Sequence, residues 1–253
     1  MNDNKNATRF LRNPSIPAFN HLGLVGILLC MGLNNTTMAQ SYVGKIIIDG
    51  EVYGEGDSKV IKGNGVPGKE TRDIDAFETL SVSGSIDVYF KQDSKTHLEI
   101  SADQNLLPIL KTQVSGDKLK IYATDSYSPK LPITVQLSGP SLSEVIMDGA
   151  GNLELKGIQQ SALKLQLNGS GDVKAVGSAK EFAVSINGTS NVKAKDLVSK
   201  QANVQIIGSG DVKLTVTDQI KATIVGSGDV HYYGNPKRVE PQIIGSGDIE
   251  SGE

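Results

Sequence analysis

Six side chains of one chemical kind, Asn152, Asp172, Asn191, Asp211, Asp229 and Asp248, recur at steps of 20, 19, 20, 18 and 19 residues. Oxygen-bearing side chains at so even an interval are the material of a calcium site, because a hard cation gathers about six to eight oxygen ligands. If neighbouring members stand on adjacent β-rungs, about 4.8 Å apart, their carboxylates repel by roughly 1 kcal/mol in water, and a cation between them would relieve that. The ligand supply is thin, however: each interval offers one acid, and Asn191 interrupts the row. Solvated turn carboxylates are therefore the expected state, and a calcium ladder on Asp211, Asp229 and Asp248 is the alternative. The remaining chemistry-bearing residues are sparse. His97 and His231 are far apart in the sequence and have no cysteine or second histidine at ligand spacing, so neither a zinc site nor a hydrolytic triad is supported. Tyr232 and Tyr233, close to Pro236, could stack on a sugar ring as a ligand surface, or simply pack the C-terminal end. No cofactor is expected.

What positions the row is a repeated phrase. Its glycines are Gly149 ("DGAGNLEL"), Gly169 ("NGSGDVKA"), Gly188 ("NGTSNVKA"), Gly208 ("IGSGDVKL"), Gly226 ("VGSGDVHY") and Gly245 ("IGSGDIES"). Repetition at this short, regular period marks a solenoid, in which each unit buries its apolar face by stacking on its neighbours. Before the glycine, apolar residues alternate with polar ones: Leu163, Leu165, Leu167; Phe182, Val184, Ile186; Ala202, Val204, Ile206; Ile220, Ala222, Ile224. After it the alternation resumes with Leu153 and Leu155, Val173 and Ala175, Val192 and Ala194, Val212 and Leu214. A period of two is a strand with one buried face, so each coil carries at least two strands joined by the phrase. The phrase itself is a corner. Glycine reaches positive φ there, and the Asp or Asn before the new strand can bond the backbone two residues on. Ser170, Thr189, Ser209, Ser227 and Ser246 would form a hydroxyl row along this edge.

Composition agrees with such a fold and narrows the function. Aromatic residues make up 5% of the chain, tryptophan is absent, and glycine numbers 28, so the core must be built from small aliphatic side chains. The formal net charge of -3 and the absence of any window rich in Lys and Arg exclude the electrostatic footprint of a nucleic-acid binder. At the N-terminus, Arg9, Arg12 and His21 precede the uncharged run "LGLVGILLCMGL", too short to span a bilayer, and a small-residue site ends at Ala39. Residues 1–39 are therefore expected to be a signal peptide. Cleavage would leave 22 basic and 27 acidic residues, and would also remove the chain's one cysteine, Cys30. An exported, mildly acidic chain without disulfides is implied.

Residues 40–70, with "VGKIIIDGEVYGEGDSKVIKGNGVPG", are expected to be partly linker and partly an edge strand near Ile46 to Ile48. "LSVSGSIDVYF" from Leu80 repeats the phrase around Gly84 and Asp87, and a longer excursion separates it from Gly149. That excursion reads as a strand, a short helical or turn segment from near Asp103, and a strand pair through Val114 and Leu119 to Tyr122. It supplies the N-terminal layers and cap, since the end repeats of a solenoid must be atypical. The expected fold is all-β: a single-domain parallel β-helix over residues 71–253, right-handed, with coils of about 19 residues and an atypical N-terminal cap.

The order "TRDIDAFETLSVSGSIDVYF", "DQNLLPILKTQVSGDKLKIY", the chain of "GSGD" phrases and "YYGNPKRVEPQIIGSGDI" resembles the family named "putative auto-transporter adhesin, head GIN domain" over roughly residues 71 to 251. The resemblance implies a parallel β-helix and a place in the bacterial envelope or on the surface, and brings no catalytic motif. "NGTSNV" departs from the pattern, with Ser190 in place of the second glycine. The expected function is that of an exported, non-enzymatic binding module for envelope glycan or protein, with a weak homo-oligomeric contact or docking edge at the last rung, Gln242 to Glu250. A carbohydrate-active enzyme, a polysaccharide lyase or glycosidase on the same scaffold, is the alternative. It would need two facing carboxylates at a set separation.

Overall fold

A computed structural model of the chain describes residues 60–252 and, as backbone, Ile46–Ile48 and Glu51–Tyr53. The expected leader, residues 1–39 with Cys30, lies outside the described residues, as does Glu253. Two compact units divide the chain, Met1–Gly56 and Asp57–Glu253. In the first, Ile46–Ile48 and Glu51–Tyr53 pair antiparallel. The second is an all-β solenoid.

Its coils are long bent strands: Leu153–Gly169, Val173–Gly188, Val192–Gly208 and Val212–Gly226. Each is paired in parallel with the next, so that Gly149, Gly169, Gly188, Gly208, Gly226 and Gly245 stack in one row. The alternation read from the sequence sets the inward faces. Leu167, Ile186, Ile206 and Ile224 form one buried column, and Leu165, Val184, Val204 and Ala222 a second. In a third, Leu163, Phe182, Ala202 and Ile220, the small Ala202 lies against the large Phe182, so the layers interdigitate. Each coil also bends a second time. The parallel register slips between Leu155 and Ile158, between Lys174 and Gly177, and between Ala194 and Val198. These bends create a third short side with its own inward residues, Ile158, Ala179, Leu197 and Val216. Hydroxyls stitch the slipped ladder where regular pairing lapses: Thr215 Oγ1 donates to the Lys195 carbonyl at 2.7 Å, and Ser199 Oγ to the Thr215 carbonyl at 2.9 Å.

Upstream, the solenoid continues and then closes. Thr79–Ser83 lies in parallel register under Glu144–Gly149, and Asp87–Gln92 under Leu153–Lys156. Below them come Lys118–Ala123 and Thr134–Gly139, also parallel. The outermost strands then reverse direction: Leu110–Ser115 pairs antiparallel with Lys118–Ala123, and His97–Asp103 with Thr134–Gly139. Pro67–Thr71, from the segment read as linker or edge strand, adds antiparallel to His97–Asp103. The segment near Asp103 includes a single 3-10 turn, Leu107–Ile109. Phe77 and Phe90, edge to face at 6.3 Å between ring centres, fill the core of this wider end. No helix among the described residues is long and apolar enough to cross a membrane.

Candidate functional surface

The corner phrase turns as expected, with φ near +140° at its first glycine; Gly208, for instance, has φ +135°. A Cβ there would lie inside van der Waals contact with the Gly188 carbonyl oxygen of the coil before. The corner thus needs glycine twice, for its φ and for the closeness of the neighbouring backbone. At "NGTSNV", Ser190 is buried, yet Gly188 keeps φ +137° and the ladder bonds on both sides match those elsewhere.

The Asp and Asn row bonds differently from the expected local turn. In four of the six the side-chain oxygen reaches along the solenoid axis and accepts the backbone N–H of the equivalent residue one coil on. Asn152 Oδ1 accepts from Asp172 at 3.1 Å, and Asn191 Oδ1 from Asp211 at 3.1 Å. Asp211 Oδ1 accepts from Asp229 at 3.0 Å, and Asp229 Oδ1 from Asp248 at 2.9 Å. The row extends upstream to Asp87, whose Oδ1 accepts the Asn152 N–H at 2.8 Å. The corner leaves this amide without a strand partner, and the side chain of the coil before satisfies it. At Asp172 the donors are side chains instead, Lys193 Nζ at 2.7 Å and Asn191 Nδ2 at 2.9 Å, and these two bonds hold the Asp172 carboxyl below its ordinary value. Among the described residues, no three His, Cys, Asp or Glu side chains gather at metal-binding distance.

His97, on an outer cap strand, and His231, on Val230–Tyr233, are not brought together; His231 Nδ1 lies 3.0 Å from Glu250 Oε1 of the last coil. The tyrosines separate too. Tyr232 packs against the core, while Tyr233 has the Lys195 ammonium 4.0 Å from its ring centre and abuts Gly252. On the last rung, Val239 and Ile243 occupy core columns but are 36% and 41% exposed. Ser246 donates to Gly226 of the coil before, so by strand alternation the nitrogen of Pro241 faces outward, where a missing N–H blunts an edge.

Two features escaped sequence reasoning. Asp103 is wholly buried at the N-terminal end and works as a clamp: Oδ1 accepts the Gly65 N–H at 2.6 Å, and Oδ2 those of Lys130 and Leu131 at 2.9 and 3.0 Å. Burial pushes its carboxyl up, and the three amides, with the Lys130 charge, outweigh burial and hold it below its ordinary value. An aspartate closing an alternating strand, "HLEISAD", is the only sequence signal, and it is a weak one. The second feature is a trough on the third side of the solenoid, about 530 Å3, crossing four coils at residues 159–161, 178–180, 198–200 and Thr217. A smaller trough of about 420 Å3 adjoins it, lined among others by Lys164, Glu181, Gln201, Asn203 and Lys221.

Residues 76–236 match the family described as "Putative auto-transporter adhesin, head GIN domain". The chain belongs to this family. A solved structure of "a putative adhesin" from Bacteroides fragilis is 20% identical, with a TM-score of 0.65 over 76% of this chain and 100% of that one. A "putative lipid binding protein" from Parabacteroides distasonis is 24% identical, with a TM-score of 0.50 over 77% and 100% of the two chains. At these identities the likeness is one of fold. No curated protein matches the chain. This head GIN chain is thus a β-solenoid with coils of about 20 residues.

Proposed function

We propose that this head GIN protein is exported and acts at the cell envelope or surface as a non-enzymatic binding module for a glycan or a protein. The observation that carries the reading is the trough along the solenoid flank, a preformed concave surface repeated coil by coil in a family named for adhesins. The leader read from residues 1–39 supports export. Among the residues lining the two troughs the only carboxylate is Glu181, whereas glycoside hydrolysis by the usual route takes a facing pair, which favours binding over catalysis. At the C-terminal rung, exposed Val239 and Ile243 support a weak contact between copies, which Pro241 and the nearby acids keep from becoming strand addition. The test is a binding screen of the chain against envelope glycans and envelope proteins, run beside a reducing-end assay on the same glycans. Saturable capture without new reducing ends is the expected outcome; release of new ends would replace this reading with the carbohydrate-active one. N-terminal sequencing of the protein from its producing cell should begin at Gln40.

A further inference from the structure

The flank trough concentrates positive charge on a chain that carries more acids than bases. Register places Lys180 directly over Lys200: the pairs Ala179 with Ser199 and Glu181 with Gln201 bracket them on adjacent rungs, about 4.8 Å apart. Two ammonium groups stacked at that spacing repel unless something negative lies against them. Among the described residues neither lysine has a carboxylate within ion-pair distance; Asp218, beside Lys200 on the next rung, feels its charge but is held chiefly by Lys237 at 2.9 Å. The adjoining trough adds Lys221, likewise unpaired, and Lys164, paired with Glu144 at 2.9 Å, against the lone acid Glu181. On another face the register also stacks Lys174, Lys193 and Lys213, but there Glu154 meets Lys174 and Asp172 meets Lys193, so acids are interleaved with that column.

The lining has a second character. Exposed Gln159, Gln201 and Asn203 offer amides that both donate and accept, and Val198, 48% exposed, leaves an apolar spot on the floor beside Lys200. Amides for hydroxyls, an apolar patch for a C–H face and cations at rung spacing suit one class of ligand. We propose that this trough binds an acidic polysaccharide, its chain lying along the solenoid axis and its carboxylates against Lys180 and Lys200. The alignment follows from the trough crossing four coils, which presents like groups at each step to a polymer that repeats. A nucleic acid would ask for exposed aromatic platforms; the one aromatic lining residue, Phe182, is buried. This inference rests on the binding-module reading and names the ligand class of the same surface.

The probe is polygalacturonate, titrated calorimetrically into the full chain at low salt, with fully methyl-esterified polygalacturonate and single-stranded DNA as companions. Binding of the acid form, at least tenfold weaker with the ester and progressively lost with added salt, is expected. The double variant K180Q/K200Q should weaken binding at least tenfold, whereas K213Q, on another side of the coil, should bind as the parent does. Circular dichroism of each variant must match the parent, and both substituted lysines are exposed. Equal binding of acid and ester, unchanged binding by the double variant, tighter binding of DNA, or no binding of polygalacturonate would each overturn the proposal. Capture of a neutral glycan or a protein by the same preparation, with no binding of polygalacturonate, would overturn it while leaving the binding-module reading in place.

Discussion

Replacing Gly208 by alanine tests whether the corner phrase is a packing requirement or only a turn, and Gly157 is its built-in control. Gly157 has φ +69° and open space around the position of a new Cβ, so Gly157→Ala meets only the left-handed backbone penalty, about 1–2 kcal/mol, partly offset by a stiffer unfolded chain. Gly208 has φ +135°, farther from any basin an L-residue favours, which adds about 1–3 kcal/mol of strain. Its new methyl must also displace the Gly188 carbonyl, which already accepts the Ser209 N–H at 3.0 Å, and overpacking a tight site costs about 1–3 kcal/mol more. Gly208→Ala should therefore lose about 4 kcal/mol, Gly157→Ala about 1. With a urea m-value of about 3 kcal/mol/M, the midpoints followed by circular dichroism should fall by about 1.3 M and about 0.3 M. Amide exchange adds a local reading: the Ser209 N–H should lose protection in Gly208→Ala alone. Equal midpoint shifts for the two variants would refute the claim that close stacking of corners, rather than turn geometry, requires glycine.

Ile206 is fully buried and Gln205 exposed, so Ile206→Asp should cost several kcal/mol by burying an unpaired charge, and Gln205→Asp less than about 0.5; similar urea midpoints would mean that the register is wrong. Because the Asp103 carboxyl is held below its ordinary value, the stability it contributes should be complete above the usual carboxylate range and fall away as pH drops through its lowered folded value. Asp103→Asn should lower the midpoint at pH 7 and flatten the acid limb below about pH 4, where the aspartate takes up its proton; an unchanged limb would remove the clamp from the account. Since Oδ1 of both Asp211 and Asp229 is engaged by the next coil's amide, melting temperature should be the same in excess calcium and in chelator, and a calcium-dependent rise would restore the cation ladder on Asp211, Asp229 and Asp248.

The sequence by itself determined the solenoid. Alternation in stretches such as Leu163 to Leu167 is a local property with a period of two, and the recurrence of glycine corners states how many residues make a turn; together they leave little freedom in how the coils stack. The atypical cap was legible for the same reason, because the strand pair through Val114 and Leu119 alternates within itself. Tertiary structure decided whatever depends on which atoms meet across coils. The aspartate row was visible, but whether each oxygen bonds its own turn or the amide 18 to 20 residues on depends on the direction the corner points the side chain. The third side of each coil was hidden because its residues break the alternation: the register slips near Gly177 and Leu197, and a pattern read at period two ends there. With that side hidden, the stacking of Lys180 on Lys200 and the trough around them could not be read, since lysines 20 residues apart become neighbours only when the rungs are counted through the slip. Asp103 was hidden for a simpler reason: its three donors come from Gly65, Lys130 and Leu131, segments that carry no shared pattern and meet only where the end of the solenoid is closed.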